Sequence, residues 1–113
     1  MAVARFLQGV SYQDGGVAVS VLLDDELSKE IRICFKKGQL MEAHQAPYAI
    51  SVMTIAGSIE FGVDGEMVTL DAGDIINLSA SVVHSLEATE DSVVRLTLNK
   101  ADTIKRVSLV GTR

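Results

Sequence analysis

The apolar residues of this chain fall in short runs of about five to eight, each closed by Gly, Asp or Ser. That punctuation constrains the fold more than any other feature, because such runs suit strands and are too short for most helices. Residues 17–23 form a β-branched run closed by Asp24, Asp25 and Glu26, which read as a solvated loop. Residues 30–35 alternate, with Ile31, Ile33 and Phe35 on one side and Arg32 and Cys34 on the other, as period-2 strand geometry requires. Lys37 and Gly38 turn the chain into 39–44, and Pro47, lacking an amide proton for a ladder, breaks the next connection. Residues 50–56 follow as a buried strand ending at Gly57. Segments 58–63 and 66–70 then flank Asp64-Gly65, a pair that accepts positive φ and is a strong hairpin signal. A turn at 71–74, where Asp71 and Asp74 supply hydrogen bonds, leads to 75–78. Beyond the loop Ser79-Ala80-Ser81 come strands over 82–86 and 92–98. The tail allows either a helical turn over 101–106 or an edge strand over 107–110.

No 3.6-residue period persists anywhere. Eight or nine strands at roughly ten-residue spacing describe a sandwich or barrel, all-β and a single domain over 1–113. A composition 48% hydrophobic and 22% charged is that of a chain with a real core. The net charge of -5 and the scattering of the ten basic residues argue against nucleic acid as a partner. No segment approaches the apolar length of a membrane span, and residues 1–10 lack the apolar core of a signal peptide. Cys34 is the only cysteine, which fits a reducing compartment, so the expected location is the cytoplasm. Nucleophile-elbow, phosphate-loop and dinucleotide fingerprints are absent. Met41, Met53 and Met67 read as packing residues.

One frame of spacings is more specific. Gly38, five residues, His44, one residue, Ala46, three residues, Ile50, six residues and Gly57 make a first motif. Gly73, five residues, Ser79-Ala80-Ser81, two residues, His84, three residues and Ala88 make a second, fifteen residues on. These motifs resemble those of the cupin family, over about residues 17–98. The resemblance implies a cupin-type double-stranded β-helix, or jelly-roll barrel, with terminal extensions adding edge strands or dimer contacts. It also implies where a metal would sit: the family draws two His and a Glu from the first motif and one His from the second. His44 and His84 match the first and last of these, while Ala46 and Ile50 stand at the other two.

Strand parity makes a site from these positions. Glu42, His44 and Ala46 share a face if no bulge intervenes; so do Ile50, Val52 and Thr54, and Val82, His84 and Leu86. In the family these faces point into the barrel; parity alone adds Tyr48, Thr54 and Ser81 as further polar pocket candidates. A metal reading places a divalent ion (Zn, Ni, Mn or Fe) on His44 and His84, with Glu42 substituting for the missing carboxylate. The competing reading keeps both imidazoles as metal-free pocket groups that orient a small polar ligand or move a proton. The expected function is a small-molecule-binding cupin. The alternatives are a metal-dependent oxygenase, a sugar or keto-acid isomerase with or without metal, and a sensory ligand-binding module. The resemblance also implies a homodimer, with 107–110 as an interface strand.

Overall fold

The computed structural model describes residues 1–100, and these contain nine strands and no helix. In chain order they are β1 (Ala18–Asp24), β2 (Ser28–Phe35), β3 (Leu40–His44), β4 (Ala49–Ala56) and β5 (Ser58–Val63). β6 (Glu66–Asp71), β7 (Ile75–Leu78), β8 (His84–Ala88) and β9 (Ser92–Asn99) follow. They form two antiparallel sheets, of order β1-β2-β9-β4-β7 and β3-β8-β5-β6. This is the two-sheet barrel that the spacing and the resemblance lead one to expect. With no helix there, none among the described residues is long and apolar enough to cross a membrane. The tail expectations over 101–106 and 107–110 lie outside the described residues.

Alternation decides what fills the barrel. Ile31, Ile33 and Phe35 of β2 turn inward beside Val94 of β9, Ile50 and Val52 of β4, Ile59 and Phe61 of β5, and Leu86 of β8. Phe35, Ile59, Phe61 and Val94 have no exposed surface, so both sheets meet through closely packed side chains. The β5–β6 hairpin turns at Asp64 and Gly65 with φ of 51° and 76°, the conformation that this pair adopts most readily. Asp71 and Asp74 close their turn as expected: the Asp71 amide donates to Asp74 Oδ2 at 2.9 Å, and the Asp74 amide to the Asp71 carbonyl at 2.9 Å.

The outer face of β2 is covered as well. Arg32 reaches across to residues 6–9, where its guanidinium donates to the carbonyls of Gln8 at 2.6 Å and Gly9 at 3.0 Å. The Phe6 ring lies 6.0 Å from the Arg95 guanidinium carbon, a cation–π contact on the same face. Cys34 is buried there, so its outward parity means a second layer and not solvent. The N-terminal residues up to 17 thus form a strap without a strand of their own.

Three expectations need correction. β8 begins at His84, two residues later than its apolar pattern suggests, because Ser81 takes a left-handed φ of 69° and holds 79–83 as a loop. Met67 is 60% exposed instead of packed: it pairs with Gly62 on the outer face of β6, an edge strand that buries only Leu70. The third concerns β3 and alters the site.

Candidate functional site

β3 pairs with β8 through Met41↔Leu86 and then His44↔His84. Two residues, Glu42 and Ala43, thus stand opposite the single Ser85, which is a β-bulge. The bulge resets parity. Met41 and His44 share the inward face, whereas Glu42 is exposed. The shared face expected for Glu42 and His44 is therefore absent, for the reason on which that expectation was conditional.

The imidazoles of His44 and His84 meet at 4.4 Å between ring centroids, tilted by 57°. Two side chains forty residues apart in sequence are brought together because their Cα atoms are direct cross-strand partners. Each ring is held by a backbone carbonyl two residues earlier. His44 Nδ1 lies 2.7 Å from the Glu42 carbonyl oxygen and His84 Nδ1 lies 2.9 Å from that of Val82. A carbonyl oxygen can only accept, so each Nδ1 carries the hydrogen, and Nε2 keeps the lone pair of the neutral ring. Phe61 stacks on His84 with centroids 5.6 Å apart and planes within 6° of parallel. His84 is 4% exposed, and that burial holds it below the ordinary histidine range. The neighbouring His44 ring lowers it further, against the opposing pull of the Val82 carbonyl. At neutral pH His84 is therefore a base with a free Nε2.

The space beside the two rings is lined by Met41 and the aliphatic side chains of Ile33, Val52, Leu86, Val94 and Leu96. It amounts to about 10 Å³, room for one water or one ion. A metabolite does not fit inside; it can reach the pair only from the rim. At the rim the Ser81 amide donates to the Ala46 carbonyl at 2.8 Å, tying the β3–β4 loop to the β7–β8 loop. Ser81 and Tyr48 are exposed on those two loops. Thr54 lies elsewhere, fully buried on β4, its hydroxyl without a partner and outside the space between the histidines. An open groove of about 280 Å³ runs beside the β5–β6 hairpin, bordered by Asp64, Glu66, Met67, Ser85 and His84. His84 is the residue it shares with the interior space, and no Lys or Arg lines either one.

The donor set does not suit the family's divalent centre. Ile50 is 4% exposed within the core, and Ala46 packs against that core. Both carry hydrocarbon where the resemblance implies a carboxylate and a third imidazole. Among the described residues no three His, Cys, Asp or Glu side chains come together closely enough to hold a metal. Sequence reasoning found His44 and His84 but missed Met41 and Phe61. The signal for Met41 was available, since strict alternation would have turned the Glu42 carboxylate inward and the Met41 thioether outward.

Comparison with known proteins agrees with the fold. Residues 31–99, well over half of the chain, match the family model described as Cupin domain. No curated protein matches. An RmlC-like cupin from Desulfovibrio desulfuricans superposes with a TM-score of 0.82 at 22% identity, covering 88% of this chain and 97% of that one. The structure of KdgF from Halomonas sp. gives 0.71 at 20% identity, covering 89% and 99%. A cupin 2 conserved barrel domain protein from Leptotrichia buccalis gives 0.73 at 28% identity, covering 80% and 44%.

Proposed function

The chain belongs to the cupin family, and from that premise we propose that it is a small-molecule-binding cupin whose working element is the imidazole pair His44–His84. The observation that carries this reading is the convergence of the two histidines, each oriented by a carbonyl and each left with one free ring nitrogen. A neutral Nε2 accepts a hydrogen bond, so the pair recognises a ligand that donates one, through a hydroxyl or an amine. No Lys or Arg lines the space beside the pair, which disfavours anionic ligands. The ligand is therefore a small neutral or cationic polar molecule, seated at the rim with one group reaching the pair. Exposed Val19 and Val21 on the edge strand β1 support pairing with a second copy. The buried lone thiol of Cys34 is in keeping with the cytoplasm.

A second reading, a metal-free isomerase with His44 and His84 as acid and base, is favoured by the depressed proton affinity of His84, which keeps its ring available as a base at neutral pH. Oxygenase chemistry is disfavoured because the carboxylate position is Ile50.

The test uses tag-free protein with labelled histidines, titrated with ribose, ethanolamine and gluconate while both ring signals are followed by NMR. Saturable shifts of both rings with ribose or ethanolamine, lost in His84→Ala, support the proposal. Binding of any of these at unchanged affinity in a His44→Ala/His84→Ala double variant would remove it. Stoichiometric zinc, nickel, manganese or iron on the wild-type protein would instead restore the divalent-metal reading.

A further inference from the structure

We propose that Met41, His44 and His84 form a binding site for a soft monovalent metal ion, cuprous copper, inside the barrel. The proposal rests on the imidazole pair being the working site and adds the thioether that completes it.

The bulge in β3 makes the site. With Glu42 and Ala43 together opposite Ser85, Met41 becomes the next inward residue beside His44. Methionine has three rotatable bonds with which to bring its sulfur to a common point. All three side chains border the same small space of about 10 Å³, room enough for one ion.

The donors select the ion. One thioether and two imidazoles are neutral and soft, and such ligands favour Cu(I) over hard divalent cations, which need carboxylate, carbonyl or water oxygens. The remaining walls are aliphatic: Ile33, Val52, Leu86, Val94 and Leu96. A divalent ion there would keep two unneutralised charges in hydrocarbon; a cuprous ion keeps one and is satisfied by few ligands. Both imidazoles already donate Nδ1–H to a carbonyl, the arrangement that fixes the tautomer and frees Nε2 for a metal. Ala46 and Ile50 then fit the same account, because a carboxylate or third imidazole would harden the site. Cys34, the other soft side chain of the core, lies on the opposite face of β2 and takes no part.

The experiment loads tag-free full-length protein with Cu(I) anaerobically, in competition with bicinchoninate, and reads the coordination sphere by copper X-ray absorption. The expected result is one Cu(I) per chain, one sulfur and two nitrogens. Met41→Leu conserves volume and should keep the thermal midpoint, yet weaken Cu(I) by at least the 10- to 100-fold that loss of a mere supporting partner costs. Cys34→Ser should leave the affinity unchanged. Failure of the wild-type protein to compete for copper overturns the proposal. So does unchanged affinity in Met41→Leu, loss of copper in Cys34→Ser, or tighter binding of Zn(II) at the same stoichiometry. The two readings stay separable: Met41→Leu should retain the histidine ring shifts with ribose or ethanolamine, whereas His84→Ala should lose both those and copper.

Discussion

Substituting alanine for Gly57 should destabilise the fold more than the same change at Gly73, although both are motif glycines with left-handed backbone. Gly57 has φ of +89° and Gly73 of +96°, so each substitution pays a backbone cost of about 1–2 kcal/mol. Only at Gly57 does the added methyl meet other atoms. Its Cβ would lie 2.2 Å from Ser92 Oγ, 2.4 Å from the Asp91 carbonyl oxygen and 2.7 Å from Ser92 Cα, whereas nothing stands within 4 Å of the one at Gly73. Ser92 cannot yield freely. It is fully buried, and its hydroxyl accepts the Ser58 amide at 3.0 Å and lies 2.7 Å from the Glu90 carbonyl oxygen. Overpacking of this kind costs a further 1–3 kcal/mol or so. Gly57→Ala is thus expected to lose about 2–5 kcal/mol and Gly73→Ala about 1–2 kcal/mol. Urea unfolding of the three proteins, at matched slopes, reads the difference. Equal losses, within about 0.5 kcal/mol, would refute the reasoning that β4 leaves Gly57 pressed against the start of β9.

Acidification of chelator-treated protein should weaken it in two stages. His84 has its folded proton affinity depressed, so its contribution is whole above the unfolded histidine pKa of about 6.5 and fades as pH falls through the lower folded value. Glu30, lowered chiefly by its bond to Arg95 and also by Thr97, loses its contribution at more acid pH, below the ordinary glutamate range. His84→Phe should flatten the first stage of a stability–pH profile and Glu30→Gln the second; a variant with an unaltered profile contradicts the assignment. Arg32→Met should free the strap, since charged-donor hydrogen bonds to carbonyls contribute about 1.5–3 kcal/mol. Hydrogen exchange should then quicken at residues 6–12 while β4 and β9 stay protected, and unchanged exchange there would show that the guanidinium does not hold the strap.

The barrel was legible in the sequence because its signals are local. The Asp64-Gly65 turn, the alternation of Ile31, Ile33 and Phe35 and the spacing of the breakers each act within a few residues, and the structure carries all of them. His44 and His84 were legible because the glycine frame locates them without reference to parity. What escaped was non-local. Parity carried from His44 back to Glu42 fails at the bulge, an insertion that changes which side faces in without changing composition. Met67 is apolar yet exposed because β6 is an edge, and Cys34 is buried because a strap some twenty-five residues away in sequence lies over its face. Neither edge position nor strap placement is written in the residues concerned. Phe61 shows the same limit: its inward parity was readable, but its stacking on His84 depends on the pairing of β5 with β8.

The pairing of the two imidazoles is tested most directly by long-range nitrogen–proton correlation NMR on histidine-labelled, metal-free protein near pH 8. Both rings should carry a hydrogen on Nδ1 and be joined by cross-relaxation between protons of His44 and His84. Rings protonated on Nε2, or no magnetisation transfer between the two, would mean that the barrel does not bring these side chains together as a site.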